Sequence, residues 1–171
     1  SAVIKNRAMF SARGAGILGF SMFARDKLYA LDENMQLDVD GLTAFLEKHQ
    51  GEDIFLFGFT FMIWQHFIDQ LRKTGYQPDL SRGILVHGGG WKKLADQHIT
   101  TEQFKDALRD TCGLTRVHNY YGMVEQTGTV YMECECGRLH TPVWSDVTIR
   151  RPEDFSVASV GETGLIQVSS L

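Results

Sequence analysis

The residues with the most evident chemistry lie at 119–125, where the sequence reads Asn-Tyr-Tyr-Gly-Met-Val-Glu. A tyrosine ring, as in Tyr120 or Tyr121, can stack flat on a purine base. Gly122 has no side chain, so the backbone there can approach a ligand closely. The carboxylate of Glu125 offers hard oxygen ligands to a divalent cation. This segment therefore has the parts needed to handle a nucleotide together with its metal.

A second segment is the glycine run Gly88-Gly89-Gly90, which Trp91 follows. Consecutive glycines allow the backbone to approach a base or a ribose closely, and the Trp91 ring could line one side of the binding cavity. A flexible turn is the alternative interpretation. The run is not a phosphate-gripping P-loop, because the Gly-Lys-Ser/Thr signature is missing.

Strands and helices alternate through the part of the chain that contains these segments. Short apolar runs predict strands at Lys27–Leu31, Asp53–Phe57, Gly83–His87 and Thr115–Val117. Helical spacing of apolar side chains predicts helices capped by Asp40, running from about Phe59 to Thr74, and beginning at Thr100. Gly75 suits the end of the second helix, and Thr100 with Gln103 reads as a capping box for the third.

This alternation predicts an α/β fold with a largely parallel sheet flanked by helices. Ligands of such a sheet bind outside the carboxyl ends of its strands. Three of the predicted ends carry glycine beside polar or aromatic residues, at 58–60, 88–91 and 120–125. We therefore predict one shared pocket, and the aromatic run at 55–64 could form a channel for an apolar substrate beside it.

The pattern changes after Glu125 and predicts a smaller β layer at the C-terminal end. Its strands are expected near Thr127–Met132, Val147–Arg150 and Leu165–Val168. We therefore divide the chain into a nucleotide- and acyl-binding part with βα repeats, residues 1–125, and a β-rich part, residues 126–171. Both ends look cut, so we expect an internal piece of a larger protein.

The composition is that of an ordinary globular domain and excludes several classes of partner. The formal net charge is −4 and no basic block occurs, so there is no electrostatic case for nucleic acid. No apolar run reaches the roughly 18 residues that a membrane span needs. The three cysteines form no disulfide framework, and we therefore expect a reducing cytoplasm.

A dinucleotide fingerprint is also present, since Gly14, Gly16 and Gly19 have its spacing and Asp32 follows at a plausible distance. The fingerprint requires its first glycine directly after a buried strand. Here Ser11-Ala12-Arg13 intervenes before Gly14, and Lys5-Asn6-Arg7 breaks the apolar run that precedes it. A glycine-rich helix start packed on the sheet is the favoured interpretation, and a nicotinamide or flavin site is the alternative.

Cysteine and histidine residues offer two further interpretations. Cys134, Cys136 and His140 could supply three ligands to zinc, although a structural zinc site needs a fourth. Two thiols on one face of a strand could equally serve packing. Cys112 and His118 could be a nucleophile and its base, but no third group accompanies them, so a packing role is favoured.

Four longer blocks, at 11–20, 57–67, 87–94 and 121–128, read SARGAGILGF, FGFTFMIWQHF, HGGGWKKL and YGMVEQTG. They resemble the acyl-protein synthetases, or long-chain-fatty-acid–luciferin-component ligases, of the adenylate-forming superfamily. The resemblance runs nearly end to end. It implies the central part of the superfamily's N-terminal region, without the mobile C-terminal domain.

The resemblance also implies a reaction. A long-chain fatty acid would be activated with ATP and Mg²⁺ as an acyl-adenylate, and a protein thiol would then accept the acyl group. Reductase and transferase subunits of a bioluminescence fatty-acid reductase complex would be further partners. The same pattern leaves open a ligase that passes an aryl or other carboxylate to CoA, and a non-catalytic nucleotide- or zinc-binding module.

Site residues follow by analogy with the superfamily. Glu125 would be the catalytic residue that binds Mg²⁺, and Phe59 and Thr60 would lie near the acyl group. The nucleotide would contact Gly88, Gly89, Gly90, Trp91, Asn119, Tyr120, Tyr121, Gly122 and Met123, with Tyr121 stacked on adenine.

The chain departs from the superfamily at several positions. Val124 replaces the usual threonine before the glutamate, so Thr127 or another residue would have to contact the phosphate. No Ser/Thr/Gly-rich phosphate loop occurs in the sequence. The ribose-binding aspartate would lie beyond Leu171, after the turn at 161–164. We therefore expect the isolated 171-residue chain to be nearly inactive.

Overall fold

A computed structural model describes residues 12–91, 96, 98–123 and 128–171. The chain divides into two compact units, Ser1–His118 and Asn119–Leu171. Helices and β-strands are both present, which confirms the predicted α/β class. Among the described residues, no helix combines the length and the apolar character that crossing a membrane would demand.

Among its described residues, the first unit contains four longer helices and a short 3-10 helix, Ser21–Phe23. Helix α1 is Ala12–Phe20, and α2 is Val39–Lys48, with Asp38 accepting a hydrogen bond from the Gly41 N–H at its start. The cap is thus Asp38 and not the predicted Asp40, which lies inside the first turn. Helix α3 spans 60–74, and α4 is Thr101–Cys112. At the start of α4 the predicted capping box of Thr100 and Gln103 has both of its hydrogen bonds.

Helix α3 changes its winding along its length. Thr60–Met62 and Asp69–Thr74 are α-helical, whereas Ile63–Ile68 forms a π-helical segment. Such segments are rare and are found frequently near functional sites. The helix ends at Gly75, whose φ of 69° is the left-handed conformation that favours glycine, as the sequence predicts.

Strands β1, Ile54–Phe59, and β2, Gly83–Gly88, form the centre of the first unit. They pair in parallel, from Ile54 opposite Gly83 to Phe59 opposite Gly88, with α3 as the connection between them. Helices α3 and α4 contribute to the core of this unit, whose most deeply buried side chains include Ile68, Leu71, Phe104, Leu108 and Leu114. The two carboxyl strand ends therefore lie side by side on a packed support.

Strand β3, Arg116–Gly122, contains the boundary between the units. In the second unit its last part pairs antiparallel with β4, Val130–Glu133, and β4 pairs antiparallel with β5, Leu139–His140. A separate antiparallel pair follows, β6, Ser145–Arg150, with β7, Leu165–Ser170. This pair contains two of the three strands predicted for the smaller β layer, whereas the third, expected at Thr127–Met132, is β4 and pairs with β3 and β5 instead.

Two of the predicted strands differ from the structure, one because it is absent and the other because it ends later. Lys27–Leu31 is not a strand, and within the described part of the chain it pairs only through an isolated bridge between Leu31 and Leu37. β3 extends to Gly122 instead of ending at Val117, because its residues Tyr120–Gly122 find hydrogen-bonding partners in β4. Asn119, Tyr120 and Tyr121 are therefore strand residues and not loop residues.

Candidate functional site

The carboxyl ends of β1 and β2 bring together residues predicted for two roles. Phe59 lies opposite Gly88 in the sheet, and Thr60 begins α3 directly after it. Gly89 has a φ of 78°, and a β-carbon placed there would lie 3.3 Å from a ring carbon of Phe59. The predicted acyl-binding and nucleotide-binding residues are thus neighbours at one edge of the sheet.

A buried hydrogen-bonded group supports this edge. The Thr60 hydroxyl lies 2.9 Å from Nδ1 of His87 and donates to the carbonyl of Gly88 at 3.1 Å. Thr60 is 6% exposed and His87 is 4% exposed. Burial makes each of these polar contacts matter, because a lost partner would leave a buried polar group unsatisfied.

Trp91, predicted to contact the nucleotide, packs on the core. Its ring centroid lies 6.0 Å from that of Trp64 and 5.8 Å from that of Phe104, both at edge-on angles. The His87 ring is 4.8 Å from Phe104 and belongs to the same cluster. The cluster holds the residues on either side of the glycine run, and a contact between Trp91 and a nucleotide stays a prediction.

Helix α1 packs against the other face of β1. Phe20 stacks on Phe57 with ring centroids 4.3 Å apart, and a β-carbon at Gly16 would lie 3.3 Å from the Phe57 ring. The glycines of the dinucleotide fingerprint thus lie within a helix, where Gly16 allows close packing on aromatic side chains. This is the arrangement that the sequence analysis favoured over a nicotinamide or flavin site.

In the second unit, the tyrosine segment is a strand with one exposed ring. Tyr121 is 49% exposed and lies opposite Tyr131, whose ring centroid is 6.0 Å away. Tyr120 is half-buried, and burial raises the pKa of its phenol. Gly122 is exposed and Met123 is half-buried. The Tyr121 ring is therefore exposed, and its stacking on adenine stays a prediction.

A buried carboxylate on β4 bonds to the backbone of the tyrosine segment. Glu133 is 8% exposed, and its Oε2 accepts a hydrogen bond from the backbone N–H of Asn119 at 2.6 Å. Asn119 is thus fixed through its backbone to β4. The Tyr131 hydroxyl is also buried, and it has no hydrogen-bond partner among the described residues.

Glu125, Val124 and Thr127 lie outside the described residues. Their predicted roles toward metal and phosphate therefore stay predictions. Within the part of the chain that the structure describes, no group of three or more His, Cys, Asp or Glu side chains is arranged to hold a metal ion. A Mg²⁺ site thus depends on Glu125 and the resemblance.

Cys134 and Cys136 lie in the turn between β4 and β5, and His140 is the last residue of β5. The N–H of Cys134 donates to the carbonyl of Arg138, and His140 lies opposite Met132 in the register. The pKa of Cys134 is lowered to about 7, first by the backbone N–H of Arg138 and then by that of Cys136 and by His140. Cys134 and His140 thus interact, but the three residues do not form a metal-holding group. Zinc binding stays a prediction.

Cys112 has the packing role that the sequence analysis favoured. It is 3% exposed, and its Sγ donates to the carbonyl of Leu108 at 3.1 Å. Burial raises the pKa of its thiol. A thiol that resists ionisation is a poor nucleophile.

His87 and Glu133 are the two site residues that sequence reasoning missed. Each has a signal in the sequence. His87 is the only polar side chain in the apolar run at 83–87, and Glu133 is at an inward position of an alternating strand. A polar residue at a core position needs a buried partner, and both of these residues have one.

Known proteins resemble this chain in both sequence and fold. The family model described as "Acyl-protein synthetase, LuxE" matches residues 5–171. The long-chain-fatty-acid–luciferin-component ligase of Aliivibrio fischeri is 28% identical over 127 residues, which cover 71% of this chain and 33% of that protein. This chain therefore spans about a third of the length of that curated relative.

Solved structures of adenylate-forming enzymes share the fold. The long-chain-fatty-acid-CoA ligase FadD1 of Archaeoglobus fulgidus superposes with a TM-score of 0.62 at 15% identity, over 95% of this chain and 32% of that one. ATP-bound MatB of Rhodopseudomonas palustris gives 0.57 at 16% identity, over 95% and 30%. With the family match across nearly its whole length, this chain belongs to the acyl-protein synthetase family, within the adenylate-forming fold.

Proposed function

We propose that the complete protein activates a long-chain fatty acid with ATP and transfers the acyl group to a protein thiol. The observation that carries the proposal is the family match over residues 5–171. The proximity of the Phe59 ring to Gly89, where a β-carbon would lie 3.3 Å from it, supports the proposal, since an acyl-adenylate needs an apolar and a nucleotide-binding surface side by side. The Aliivibrio relative is named as a fatty-acid ligase, and MatB is described as ATP-bound.

The reaction proceeds in two displacements. A carboxylate oxygen of the fatty acid attacks the α-phosphorus of ATP, the bond to the β-phosphate oxygen breaks, and pyrophosphate leaves. The thiolate then attacks the acyl carbonyl, the bond to the AMP oxygen breaks, and a thioester and AMP result. Mg²⁺ would neutralise phosphate charge during the first step.

Residues of this chain would bind and orient the reactants. The bare backbone at Gly89 and Gly90 is exposed and accessible to adenine, and the exposed ring of Tyr121 is available for stacking. The Phe59 ring provides an apolar contact close to Gly89. The acyl-accepting thiol, the reductase and transferase partners, and a cytoplasmic location belong to this proposal as expectations from the family resemblance and the unpaired cysteines.

The test uses the full-length protein, ATP and radiolabelled acids of different chain length. We expect AMP and pyrophosphate as products, and an acyl label on protein that hydroxylamine removes, as it does for a thioester. Label that appears on protein only when CoA is omitted, and on CoA when it is added, would identify a CoA ligase instead. Products of ADP and phosphate, or no acid-dependent turnover, would reject adenylate chemistry.

A further inference from the structure

The carboxyl end of β2 is held by a directional chain of hydrogen bonds. A threonine hydroxyl has one proton, and that of Thr60 is donated to the Gly88 carbonyl. The contact of 2.9 Å between the same hydroxyl and Nδ1 of His87 must then have the ring as donor. The order is therefore imidazole N–H to hydroxyl and hydroxyl to carbonyl, which assigns His87 the tautomer with its proton on Nδ1.

This chain of bonds joins two side-chain atoms, Thr60 Oγ1 and His87 Nδ1, to the carbonyl oxygen of Gly88, so it also fixes a peptide group. A peptide is planar and trans, so its N–H points opposite to its carbonyl. Because Thr60 anchors the Gly88 carbonyl, the N–H of Gly89 is directed away from Thr60. Gly88 itself is buried, whereas Gly89 and Gly90 are exposed, and Gly89 has the left-handed φ of 78°. The anchored peptide thus lies at the transition from buried strand to exposed turn.

The anchor is rigid because its surroundings are packed. His87 contacts the Phe104 ring, and Phe104 is 1% exposed in the centre of the core. Thr60 is the first residue of α3, which enters its π-helical segment at Ile63. The hydroxyl therefore links the core, the start of a helix and the glycine turn through two contacts of ordinary length.

We propose that Thr60 and His87 are positioning residues that orient the Gly88–Gly89 peptide toward the base of a purine nucleoside triphosphate. The inference rests on the proposed function, and it gives Thr60 a task different from the acyl contact expected from the resemblance. Its hydroxyl faces the Gly88 carbonyl and the His87 ring and has no second proton to offer an acyl carboxylate.

The experiment compares three variants of the full-length protein. Thr60→Val keeps the shape and removes the hydroxyl, and Thr60→Ser restores it. Thr43→Val, on α2, is the matched control. The Thr43 hydroxyl also has two partners, the Val39 carbonyl at 2.8 Å and the Tyr76 hydroxyl at 2.7 Å. ATP affinity is measured without acid by calorimetry, and hydrogen exchange of the peptide covering 88–91 is followed by mass spectrometry.

We expect Thr60→Val to weaken ATP binding about tenfold, the equivalent of one buried hydrogen bond, and to speed hydrogen exchange at 88–91. Thr60→Ser should bind within about twofold of wild type, and Thr43→Val should leave both readouts unchanged. Equal ATP affinity of Thr60→Val and wild type would overturn the inference, as would a loss that Thr43→Val shares or that serine fails to rescue.

Adding the acid-dependent turnover assay of the wild-type protein separates this inference from the proposed function. Wild-type protein that binds ATP but releases no pyrophosphate with any acid would reject the proposed function, while the variant affinities still decide on the positioning role. Wild-type protein that does not bind ATP would overturn both.

Discussion

Replacing Gly89 with alanine tests whether the turn after β2 is a nucleotide contact or only a turn. Gly89 has a φ of 78°, and Gly75 has a nearly equal φ of 69° at the end of α3. Alanine in this left-handed region costs about 1–2 kcal/mol. Alanine also reduces the conformational entropy of the unfolded chain, which offsets about 0.4–1 kcal/mol of this destabilisation. Both variants should therefore lose about 1 kcal/mol of unfolding free energy.

The two positions differ in what an added methyl group meets. At Gly75 the methyl group would have no described atom within 4 Å beyond those of its chain neighbours, whereas at Gly89 it would lie 3.3 Å from the Phe59 ring. Phe59 is only half-buried, so its ring can move by the few tenths of an ångström required. The difference in stability between the variants should therefore stay small. The methyl group at position 89 would, however, occupy the surface proposed for adenine.

The assay pairs urea denaturation with ATP binding in the full-length protein. We expect similar urea midpoints for the two variants, and about a tenfold loss of ATP affinity for Gly89→Ala alone, equivalent to one displaced hydrogen bond. Unchanged ATP affinity of Gly89→Ala would refute the assignment of this turn to the nucleotide. A Gly89→Ala variant as stable as wild type would refute the strain argument.

Three further predictions concern stability and thiol chemistry. Tyr131→Phe removes a buried hydroxyl that has no described partner and should raise the unfolding free energy by about 1 kcal/mol; a loss of stability would mean that the hydroxyl is satisfied. Thr100→Ala removes the capping box of α4 and should cost about 1 kcal/mol in the same denaturation assay, whereas Thr100→Ser should cost little, and equal losses would contradict a capping role. The rate at which iodoacetamide alkylates Cys134 should be half-maximal near pH 7, because the lowered pKa of Cys134 makes its thiolate abundant above that pH. Mass spectrometry should find the buried Cys112 unlabelled. A rate that is half-maximal near the ordinary thiol pKa of about 8.5 would contradict the hairpin geometry at Cys134.

The sequence predicts those elements whose signals are local. The capping box at Thr100, the left-handed Gly75 and the apolar strand before Gly88 are all readable from neighbouring residues, and the structure confirms them. The wrong strand at Lys27–Leu31 shows the limit of such signals. Its apolar run is short, and a strand also needs a partner, which among the residues with described positions this segment finds only at the bridge to Leu37.

Partners that are distant in sequence explain what could not be predicted at the site. His87 is separated from Thr60 by 27 residues, and only the parallel register of β1 and β2 brings their side chains together. Glu133 is 14 residues from Asn119 and meets it through the antiparallel pairing of β3 with β4. The π-helical winding at Ile63–Ile68 likewise has no marker in the residues themselves. The motif residues at 88–90 and 121–123 were recognisable, whereas their buried supports were not.

A crystal structure of the full-length protein with a non-hydrolysable acyl-adenylate analogue tests the central claim most directly. We predict that the adenine edge lies against the backbone of Gly88–Gly90, that the Tyr121 ring covers the base, and that the acyl chain passes Phe59. An analogue bound away from the carboxyl ends of β1 and β2, with Gly89 and Tyr121 making no contact to adenine, would contradict the account.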